Sequence, residues 1–428
     1  MSNLHRIVIV GGGVAGLELA TLLGNSLGKA KKAHIVLVDQ KLTHIWKPLL
    51  HEVAAGSLNP HEEETNYFVH ASKHHYEFVF GRLNRVDSIA KKIVLNTPNI
   101  SSKTHQTTEF SLAYDTLVLA LGSVSHDFNI SGVRDFCYFL DHLEQAKIFQ
   151  HDLLHLYLDA QYQSQKTSLN IAIIGAGATG VELAAELVEV KKNFFQYGLN
   201  KIDPKQVKIT LIEASERILP ALSERISRHT HQQLNDFDIS ILTQHKVTKV
   251  DAQAIYFSDG ARLPADVKVW TAGIKAPDVI AEIPDLEKDA LNRLKVYATL
   301  QTLTDPNIFA LGDCAHCQPT ADSPVLGPRA QVASQQAAFL ATTLKEHIQQ
   351  RPLPMFKFSE KGSLVSLSHN TAVGELLGQV NVQGFVAKSM YVSLYRLHQA
   401  TIHGYTQAGL LTAKDFVTRK IRPRLKLH

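Results

Sequence analysis

Residues 7–19 read IVIVGGGVAGLEL, and residues 171–183 read IAIIGAGATGVEL. The two stretches repeat one pattern, in which an apolar run leads into three spaced glycines and a glutamate follows two positions after the third glycine. The apolar run predicts a β-strand, and the Ala- and Leu-rich residues after the glycines predict an α-helix. The chain therefore contains two copies of a strand–turn–helix unit, and this duplication indicates the class of fold.

The glycines of each copy have the spacing G-x-G-x-x-G at the point where a predicted strand passes into a predicted helix. There the first glycine permits a tight turn, the second admits a pyrophosphate, and the third lets the helix pack on the strand. An acidic residue ends the next predicted strand of each copy, at Asp39 and Glu213, where it can bind ribose hydroxyls. Each copy therefore predicts a dinucleotide site. The carboxylate of Glu213 favours NAD over NADP in the second site, although Arg217 lies nearby.

Three later segments fit two such domains. Residues 114–123 and 267–273 are typical of buried strands, and residues 307–313 predict a strand that ends in a Gly–Asp pair and is followed by a helix. We therefore expect an α/β fold with two Rossmann-like dinucleotide-binding domains. The order of the sites suggests a bound flavin nucleotide in the first and a visiting nicotinamide nucleotide in the second.

The composition excludes several other classes of protein. The chain has 428 residues, of which 45% are hydrophobic and 20% charged, and a formal net charge of +4. These values exclude a disordered chain, a collagen and a strongly basic nucleic-acid-binding protein. Three cysteines are too few for a disulfide framework. The apolar stretches 7–24 and 171–188 contain glutamates and clustered glycines, which argue against membrane spans.

Gly312 and Asp313 resemble the second flavin-contacting motif of the two-dinucleotide-binding flavoproteins, which have a glutathione-reductase-like fold. The resemblance implies that Asp313 binds a ribityl hydroxyl. Disulfide reductases of this family need a redox cysteine pair after the first acidic residue, and residues 43–58 contain none. A sulfide:quinone oxidoreductase needs two separated thiols, which Cys137 with Cys314 or Cys317 could supply; this reading is disfavoured because Cys314 directly follows the Gly–Asp pair.

Three blocks carry a closer resemblance, to the bacterial type II NADH:quinone oxidoreductases. They are THIWKPLL at 43–50, AQVASQQ at 330–336, and SLYRLHQATIHGY at 393–405 with IRPRLKLH at 421–428. The resemblance implies hydride transfer from NADH to non-covalent FAD, followed by two-electron reduction of a membrane quinone without proton pumping. It also implies a peripheral enzyme at the cytoplasmic face of the bacterial inner membrane, and it permits a homodimer. A soluble ferredoxin-reductase-like or redox-signalling flavoprotein is the alternative.

The expected domains are an FAD-binding domain at 1–125 and 295–350, an NADH-binding domain at 126–294, and a C-terminal α+β membrane-anchoring segment at 351–428. The motifs and the resemblance together assign residues to three sites. The FAD site comprises Gly11, Gly13, Val14, Ala15, Gly16, Asp39, Lys47, Val86, Ala120, Gly122, Gly312, Asp313 and Ala330. The NADH site comprises Gly175, Gly177, Gly180, Glu182, Glu213 and Gly273. The quinone side comprises Gln331, Gln335 and Lys388.

Glu182, Gln331 and Gln335 are the candidates for a role in catalysis. The resemblance implies that Glu182 relays a proton near the flavin, and the alternative is a carboxylate in the first helical turn that only complements the helix dipole. Gln331 and Gln335 lie one helical turn apart and share a face. The resemblance implies that they orient the quinone carbonyl, whereas the residues alone are typical of a solvated helix surface.

The C-terminal segment is the one strongly basic part of the chain. From Gly384 onward it contains eight Lys or Arg residues and the single acid Asp415. Apolar residues at helical spacing accompany the cations, and the pattern predicts amphipathic helices on an anionic membrane. The alternative is a helix that covers a domain. The apolar positions are Phe385, Met390, Tyr391, Leu394, Tyr395, Leu397, Leu410, Ala413, Val417 and Ile421.

The cysteine and histidine clusters predict no metal site. Cys314 and Cys317 form a single C-x-x-C without a second pair, so we interpret them as packing thiols beside the flavin site. His70, His74 and His75 lack acidic or cysteine partners at ligand spacing, and we predict that they lie on a solvated helix face.

Overall fold

The computed structural model describes residues 4–98, 107–163, 166–367, 371–376, 380–418 and 425. Its strands, in chain order, are β1 (His5–Val10), β2 (Ala33–Asp39), β3 (Thr43–His44), β4 (Thr65–Asn66), β5 (Glu77–Phe80), β6 (Arg82–Asp87), β7 (Lys92–Pro98), β8 (Thr107–Ala113), β9 (Thr116–Leu119), β10 (Val124–Ser125), β11 (Leu169–Ile174), β12 (Val207–Ile212), β13 (Ile239–Leu242), β14 (Val247–Val250), β15 (Ala254–Phe257), β16 (Arg262–Pro264), β17 (Val267–Trp270), β18 (Ile274–Lys275), β19 (Leu294–Val296), β20 (Ile308–Ala310), β21 (Ala315–Cys317), β22 (Gly362–Ser366), β23 (Ala372–Leu376) and β24 (Val380–Gln383).

The helices of the same residues are α1 (Val14–Leu23), α2 (Leu50–Ala54), α3 (Pro60–Glu63), α4 (Tyr67–Lys73), α5 (Val133–Phe136), α6 (Leu143–Tyr162), α7 (Ala178–Gln196), α8 (Glu224–Asp236), α9 (Asp278–Ala281), α10 (Ala330–Ile348), α11 (Gly384–His403) and α12 (Tyr405–Thr418). A π-helical turn at Gly24–Gly28 continues α1, and 3-10 turns lie at Lys47–Leu49, Pro204–Gln206 and Gly312–Cys314. None of these helices is long and apolar enough to cross a membrane.

The first large sheet has the strand order β20–β9–β1–β2–β5, and its neighbouring strands are parallel. Strand β1 lies between β2 and β9, so that Ile7 pairs with Ile35 on one side and Thr116 on the other. The side chains of Ile7, Val8 and Ile9 are fully buried. A strand that is buried on both faces needs a continuous apolar run, which explains why this sequence does not alternate.

The second large sheet repeats this arrangement with the strand order β13–β12–β11–β17. Strand β11 pairs in parallel with β12 and β17, and β12 pairs in parallel with β13. In both sheets the chain leaves the first strand through a helix, α1 or α7, and returns on the neighbouring strand. The α/β class with two Rossmann-like units is therefore confirmed. The domain boundaries given above stay a prediction.

The C-terminal part combines a small antiparallel sheet with two helices. Strand β23 pairs with β22 and β24, and α11 packs against this sheet, against α12 and against α1 of the first unit. This arrangement agrees with the predicted α+β composition of the segment. Helix α11 therefore lies between the antiparallel sheet and the first nucleotide-binding unit.

Two local predictions are wrong. The residues after Asp313 form a 3-10 turn and strand β21 rather than a helix, because β21 pairs in parallel with β19. Cys314 and Cys317 are therefore not at a helix start; both are buried, and burial raises the pKa of these thiols to about 12 and about 11, as for packing thiols. Of the three clustered histidines, His70 is buried and its Nε2 donates to the Ile402 carbonyl at 2.7 Å, whereas His74 is half-buried and His75 is exposed as predicted.

Candidate active site

The first glycine turn lies at the carboxyl end of β1, where the neighbouring strands β2 and β9 connect in opposite directions. Gly11 has a φ of +105°, and a Cβ atom there would lie 2.3 Å from the Ala120 carbonyl oxygen. A Cβ on Gly16 would lie 1.8 Å from the Gly11 oxygen, whereas one on Gly13 would meet no atom within 4 Å. The first and third glycines thus permit close packing, and the second borders open space. This is the topological switch point, where open α/β sheets bind their ligands.

The second glycine turn has the same geometry at the carboxyl end of β11. Gly175 has a φ of +107°, and a Cβ there would lie 2.5 Å from the Ala272 nitrogen. A Cβ on Gly180 would lie 2.0 Å from the Gly175 oxygen, and one on Gly177 would meet no atom within 4 Å. The two turns are therefore structural equivalents, each with free space beside its second glycine. The backbone N–H groups at the starts of α1 and α7 face these spaces.

The two predicted acids contact the glycine turns in the same way. Asp39 Oδ2 accepts a hydrogen bond from the Gly12 N–H at 2.6 Å, and Glu213 Oε2 accepts one from the Ala176 N–H at 2.9 Å. Each acid therefore lies at the mouth of its own turn. Arg217 donates to the carbonyl oxygens of residues 219 and 220, so its guanidinium is held by the backbone. This arrangement agrees with a preference for NAD in the second site.

The remaining residues predicted for the FAD site are arranged around the first turn. Asp313 Oδ2 accepts from the Ser123 hydroxyl at 2.8 Å, and Lys47 Nζ donates to the Ser123 carbonyl at 2.9 Å. Gly122, next to Ser123, has a φ of +68° and a Cβ there would meet no atom within 4 Å. Val14 and Ala15 begin α1, Ala330 begins α10, and Val86 is buried in the core that surrounds the first sheet. Ser123, which sequence reasoning missed, joins Lys47 to Asp313.

Gly273, predicted beside the nicotinamide, lies in the loop after β17. A Cβ on Gly273 would lie 2.4 Å from the ring of Phe128, whose side chain is half exposed. The space beside Gly273 is therefore filled by an aromatic ring. Motif matching gave no reason to select Phe128, because it lies in the loop that connects β10 to α5.

Glu182 lies in the second turn of α7 and is buried. Its Oε1 accepts from the Ser366 N–H at 3.0 Å, and its Oε2 lies 3.5 Å from His51 Nδ1. Lys388 Nζ donates to the Ser366 hydroxyl at 2.6 Å, and the Tyr391 hydroxyl hydrogen-bonds to Glu182. The Glu182 side chain therefore joins a buried polar cluster near the start of α7, and its role as a proton relay stays a prediction.

The cluster favours a protonated Glu182 at neutral pH. Burial raises the pKa of the Glu182 carboxyl to about 8, against the lowering effects of the Ser366 N–H and the Lys388 charge. Burial, reinforced by Lys388, lowers the pKa of His51 to about 3. Glu186, one turn further along α7, also has a raised pKa because it is buried. A carboxyl group that titrates near pH 8 can donate or accept a proton at neutral pH.

The fold brings together one group of possible metal ligands among the described residues. The spacing of these residues in the sequence did not predict it. Donor atoms of His51, Glu52 and Glu186 lie within 4.8 Å of one another. His51 and Glu52 are adjacent in α2, while Glu186 comes from α7, so the set crosses the boundary between the two nucleotide-binding units. The nearby positive charge of Lys388 disfavours a cation at this position.

Gln331 and Gln335 lie on one face of α10 and hold the segment 359–362. Gln331 Nε2 donates to Glu360 Oε1 at 2.8 Å and to the Gly362 carbonyl at 2.9 Å. Gln335 exchanges two hydrogen bonds with the Ser359 backbone. Both amides are half-buried and hydrogen-bonded to this segment, and their role toward a quinone stays a prediction. Strand β22 connects Gly362 to Ser366, and four residues at about 3.3 Å place the Gln331 and Glu182 contacts about 13 Å apart.

A second buried polar cluster surrounds Glu18, the counterpart of Glu182 in the first unit. Glu18 accepts from the Ser334 hydroxyl at 2.5 Å and lies 2.7 Å from His398 Nδ1. His398 Nε2 lies 3.0 Å from His44 Nε2, and His44 Nδ1 lies 2.9 Å from the Gly12 carbonyl oxygen. The repeat glutamate was visible in the sequence, whereas its histidine partners lie 26 and 380 positions away.

Helix α11 presents different chemistry on its two sides. The inner side carries Lys388, Tyr391, Tyr395 and His398, so the prediction that both tyrosines belong to the outer apolar face is wrong. Burial is the main reason that the pKa of each of these tyrosines is raised. Apolar side chains remain exposed on the outer side of α11 and on α12; they are Phe385, Val386, Val392, Leu394, Leu397, Tyr405, Leu410 and Val417. Ile421 lies outside the described residues.

Comparison with known proteins adds three findings. The family model described as pyridine nucleotide-disulphide oxidoreductase matches residues 5–337. The chain is 39% identical to a type II NADH:quinone oxidoreductase of Haemophilus influenzae, over 99% of this chain and 100% of that one. It is 27% identical to a Staphylococcus aureus protein of the same name, over 87% of this chain and 90% of that one.

Solved structures share the fold at lower identity. A structure of NDH2 from Plasmodium falciparum in complex with NADH superposes with a TM-score of 0.84 at 20% identity, covering 99% of this chain and 100% of that one. A sulfide:quinone oxidoreductase from Aquifex aeolicus gives a TM-score of 0.73 at 17% identity, covering 94% of this chain and 92% of that one. At these identities the superpositions establish the shared architecture.

Proposed function

Because the chain belongs to the type II NADH:quinone oxidoreductase family, we propose that it oxidises NADH through a bound FAD and reduces a quinone at a membrane surface without pumping protons. The observation that carries the proposal is the pair of equivalent glycine turns, each with open space at its second glycine and an acid hydrogen-bonded to the turn. Two such turns provide one site for a resident dinucleotide and one for its reductant.

The residues around the first turn fit FAD. The open spaces at Gly13 and Gly122 leave room for the pyrophosphate of FAD and for its ribityl chain. Lys47 and Asp313, joined through Ser123, supply a cation and a carboxylate on the side of the turn where the ribityl chain and ring would lie. When bound, FAD supplies the two-electron carrier between NADH and the quinone. The protein mainly positions the reactants, since hydride transfer depends on alignment more than on acid or base catalysis.

Proton handling is the second task of the chain, because reduction of a quinone to a quinol consumes two protons. We propose that Glu182 exchanges one of them, since its carboxyl group is buried, titrates near neutral pH and lies beside Lys388 and Tyr391. Gln331 and Gln335, at the other end of β22, would position the quinone headgroup. In this role Gln331 acts partly through the segment 359–362 that it holds.

The exposed apolar side of α11 and α12 supports attachment to a membrane. Eight exposed apolar side chains lie on these two packed helices. The segment contains eight Lys or Arg residues, of which the structure describes Lys388, Arg396 and Lys414. An exposed apolar helix face in a segment with this many cations is typical of binding to the interface of an anionic membrane. A lipophilic quinone would reach the enzyme there. We place the enzyme at the cytoplasmic face of the bacterial inner membrane, because its reductant NADH is cytoplasmic; a homodimer stays a prediction.

Steady-state turnover with NADH tests the proposed activity. The purified protein is assayed with a short-chain ubiquinone, with a small [2Fe–2S] ferredoxin, and with sulfide in place of NADH. We expect rapid quinone reduction by NADH and no sulfide oxidation, since both thiols beside Asp313 are buried with raised pKa values. Reduction of the ferredoxin without the quinone would contradict the proposal and support the soluble electron-transfer alternative.

Membrane attachment is tested with a matched pair of substitutions. Leu397 on α11 and Ile148 on α6 are 56% and 55% exposed. Leu397→Asp should weaken binding to anionic vesicles at least about tenfold, because burial of one such side chain contributes about 1.5–3 kcal/mol. Ile148→Asp should leave vesicle flotation unchanged. Equal binding by both variants would contradict the assignment of this surface.

A further inference from the structure

Glu18 is a buried carboxyl group that has no role in the hydride transfer proposed above. It is 2% exposed, and its hydrogen bonds begin a continuous chain through His398 and His44 to the Gly12 carbonyl. Every link in this chain joins atoms 2.7–3.0 Å apart. At its other end the chain reaches the half-buried Ser334 on α10, whose hydroxyl contacts Glu18 at 2.5 Å.

Each hydrogen bond in this chain needs one proton. The donor of each bond can be assigned in turn, starting from the Gly12 carbonyl. The Gly12 oxygen can only accept, so His44 donates from Nδ1 and its Nε2 is a lone pair. His398 then donates from Nε2, which leaves its Nδ1 as a lone pair that faces Glu18. The proton in this last link therefore comes from the Glu18 carboxyl, or has passed from Glu18 to His398. In either form the three groups share one proton more than an ionised glutamate and two neutral histidines.

Burial supports this protonation state. It raises the pKa of Glu18 to about 7, against the hydrogen bond from Ser334, and it lowers the pKa values of His398 and His44 to about 3. His403 is a further titratable group near the two histidines and lowers their pKa values as well. Below about pH 7 all three groups are therefore neutral, in the arrangement that the hydrogen-bond directions require.

The position of the chain connects it with the quinone side. Ser334 lies on α10 between Gln331 and Gln335 in the sequence and, at 100° per residue, about 60° around the helix axis from Gln331, on the side that contacts Glu18. At the other end, His398 lies on the inner side of α11 seven residues after Tyr391, which contacts Glu182. Seven residues span about 10 Å along a helix. The two repeat glutamates therefore meet the same side of one helix, about two turns apart.

We propose that Glu18, with His398 and His44, is a second proton-storing site that supplies a proton to the quinone side through the Ser334 hydroxyl. This inference rests on the proposed function. Overall, NADH, the quinone and one proton give NAD⁺ and quinol: NADH contributes two electrons and one proton as hydride, and the second proton must come from the solvent. In this scheme the Ser334 hydroxyl, which donates to Glu18 Oε2 at rest, turns and releases its proton toward the quinone side, and the Ser334 oxygen takes the Glu18 proton after the carboxyl group has turned to present it. Glu18 is then reprotonated from the solvent, which restores the chain.

The substitution Glu18→Gln tests the storage role without removing the hydrogen bonds. A glutamine amide can donate to His398 and accept from Ser334, so the variant preserves both contacts but has no proton to transfer. The matched control is Glu63→Gln, since Glu63 is a largely buried carboxyl with a raised pKa that hydrogen-bonds to Tyr395 on the same side of α11. Turnover is measured with NADH and a short-chain quinone, with ferricyanide, which takes no proton, and in H₂O and D₂O.

We expect quinone turnover by the Glu18→Gln variant to fall at least about tenfold, as for loss of a general acid, with a larger solvent isotope effect. Ferricyanide turnover should persist, and the Glu63→Gln variant should match the wild type. Undiminished quinone turnover with an unchanged isotope effect, or equal loss with both acceptors, would overturn the storage role. Failure of the wild-type protein to reduce a quinone would instead refute the proposed function before any variant is compared.

Discussion

Replacement of Gly177 by alanine should weaken NADH binding about 30-fold and leave the fold intact. Gly177 has φ −72° and ψ −174°, a conformation that alanine adopts without strain. The added methyl group would meet no protein atom within 4 Å, so it would project into the space where the pyrophosphate is expected. Displacing a closely packed ligand by one methyl group costs about 2 kcal/mol, which corresponds to about 30-fold in Kd.

The stability of the same variant should change little, because two small effects oppose each other. Alanine is a poorer helix N-cap than glycine by about 0.5–1 kcal/mol, but it lowers the entropy of the unfolded chain by a similar amount. Gly180→Ala is the matched control within the motif. Its methyl group would lie 2.0 Å from the Gly175 oxygen, so this variant should lose about 3 kcal/mol of folding stability.

The assay is anaerobic flavin reduction by NADH in a stopped-flow instrument, with thermal unfolding measured on the same samples. A Gly177→Ala variant with wild-type affinity for NADH would show that the pyrophosphate does not pass this glycine. A variant that unfolds as readily as Gly180→Ala would show that the open space is not available to a side chain. Gly13→Ala should behave in the same way toward FAD, because its surroundings are equally open.

Three further outcomes are expected. Gln331→Ala should impair quinone reduction but spare ferricyanide reduction; equal loss of both would remove Gln331 from the quinone side. Glu182 and Glu18 have raised pKa values of about 8 and about 7, so they stabilise the fold below pH 4.5 and that stability is lost as the pH rises through 7 to 8. Thermal midpoints should fall across this window, and a flat profile would contradict the burial of both carboxyls. Cys314 and Cys317, with pKa values of about 12 and about 11, should react with iodoacetamide only after denaturation.

The duplicated motif predicted the parts of the fold that follow from local sequence. A strand, a glycine turn and a helix in series are specified within about 15 residues, and the acid at the end of the next strand is fixed by the parallel arrangement. The two strand–turn–helix units and the positions of Asp39 and Glu213 could therefore be anticipated. The short strand after Asp313 could not, because it exists only through its pairing with β19, and the pattern of residues 315–317 does not reveal that partner.

The polar clusters depend on contacts between distant parts of the chain. Glu18 and Glu182 were visible as repeat positions, but their environments come from β22 and from α11, about 180 to 380 residues further along. For the same reason the prediction for two residues of α11 is wrong, whereas Phe385, Leu394 and Leu397 are exposed as predicted. Tyr391 and Tyr395 fit an apolar face by spacing, but their hydroxyls hydrogen-bond to the Glu182 and Glu63 carboxyl groups. These hydrogen bonds favour the orientation in which both tyrosines face the protein.

The two sides of α11 would place a quinone close to the proton donors proposed above. The outer side exposes Phe385 and Leu397, which suit a lipid interface, while the inner side contacts Glu182 through Tyr391 and Glu18 through His398. In the proposed arrangement, with the outer face on the membrane, α11 brings a lipophilic substrate within a helix diameter, about 10 Å, of two buried carboxyls. Because both carboxyls are buried against this helix, detachment of α11 should impair quinone reduction before it affects flavin reduction by NADH.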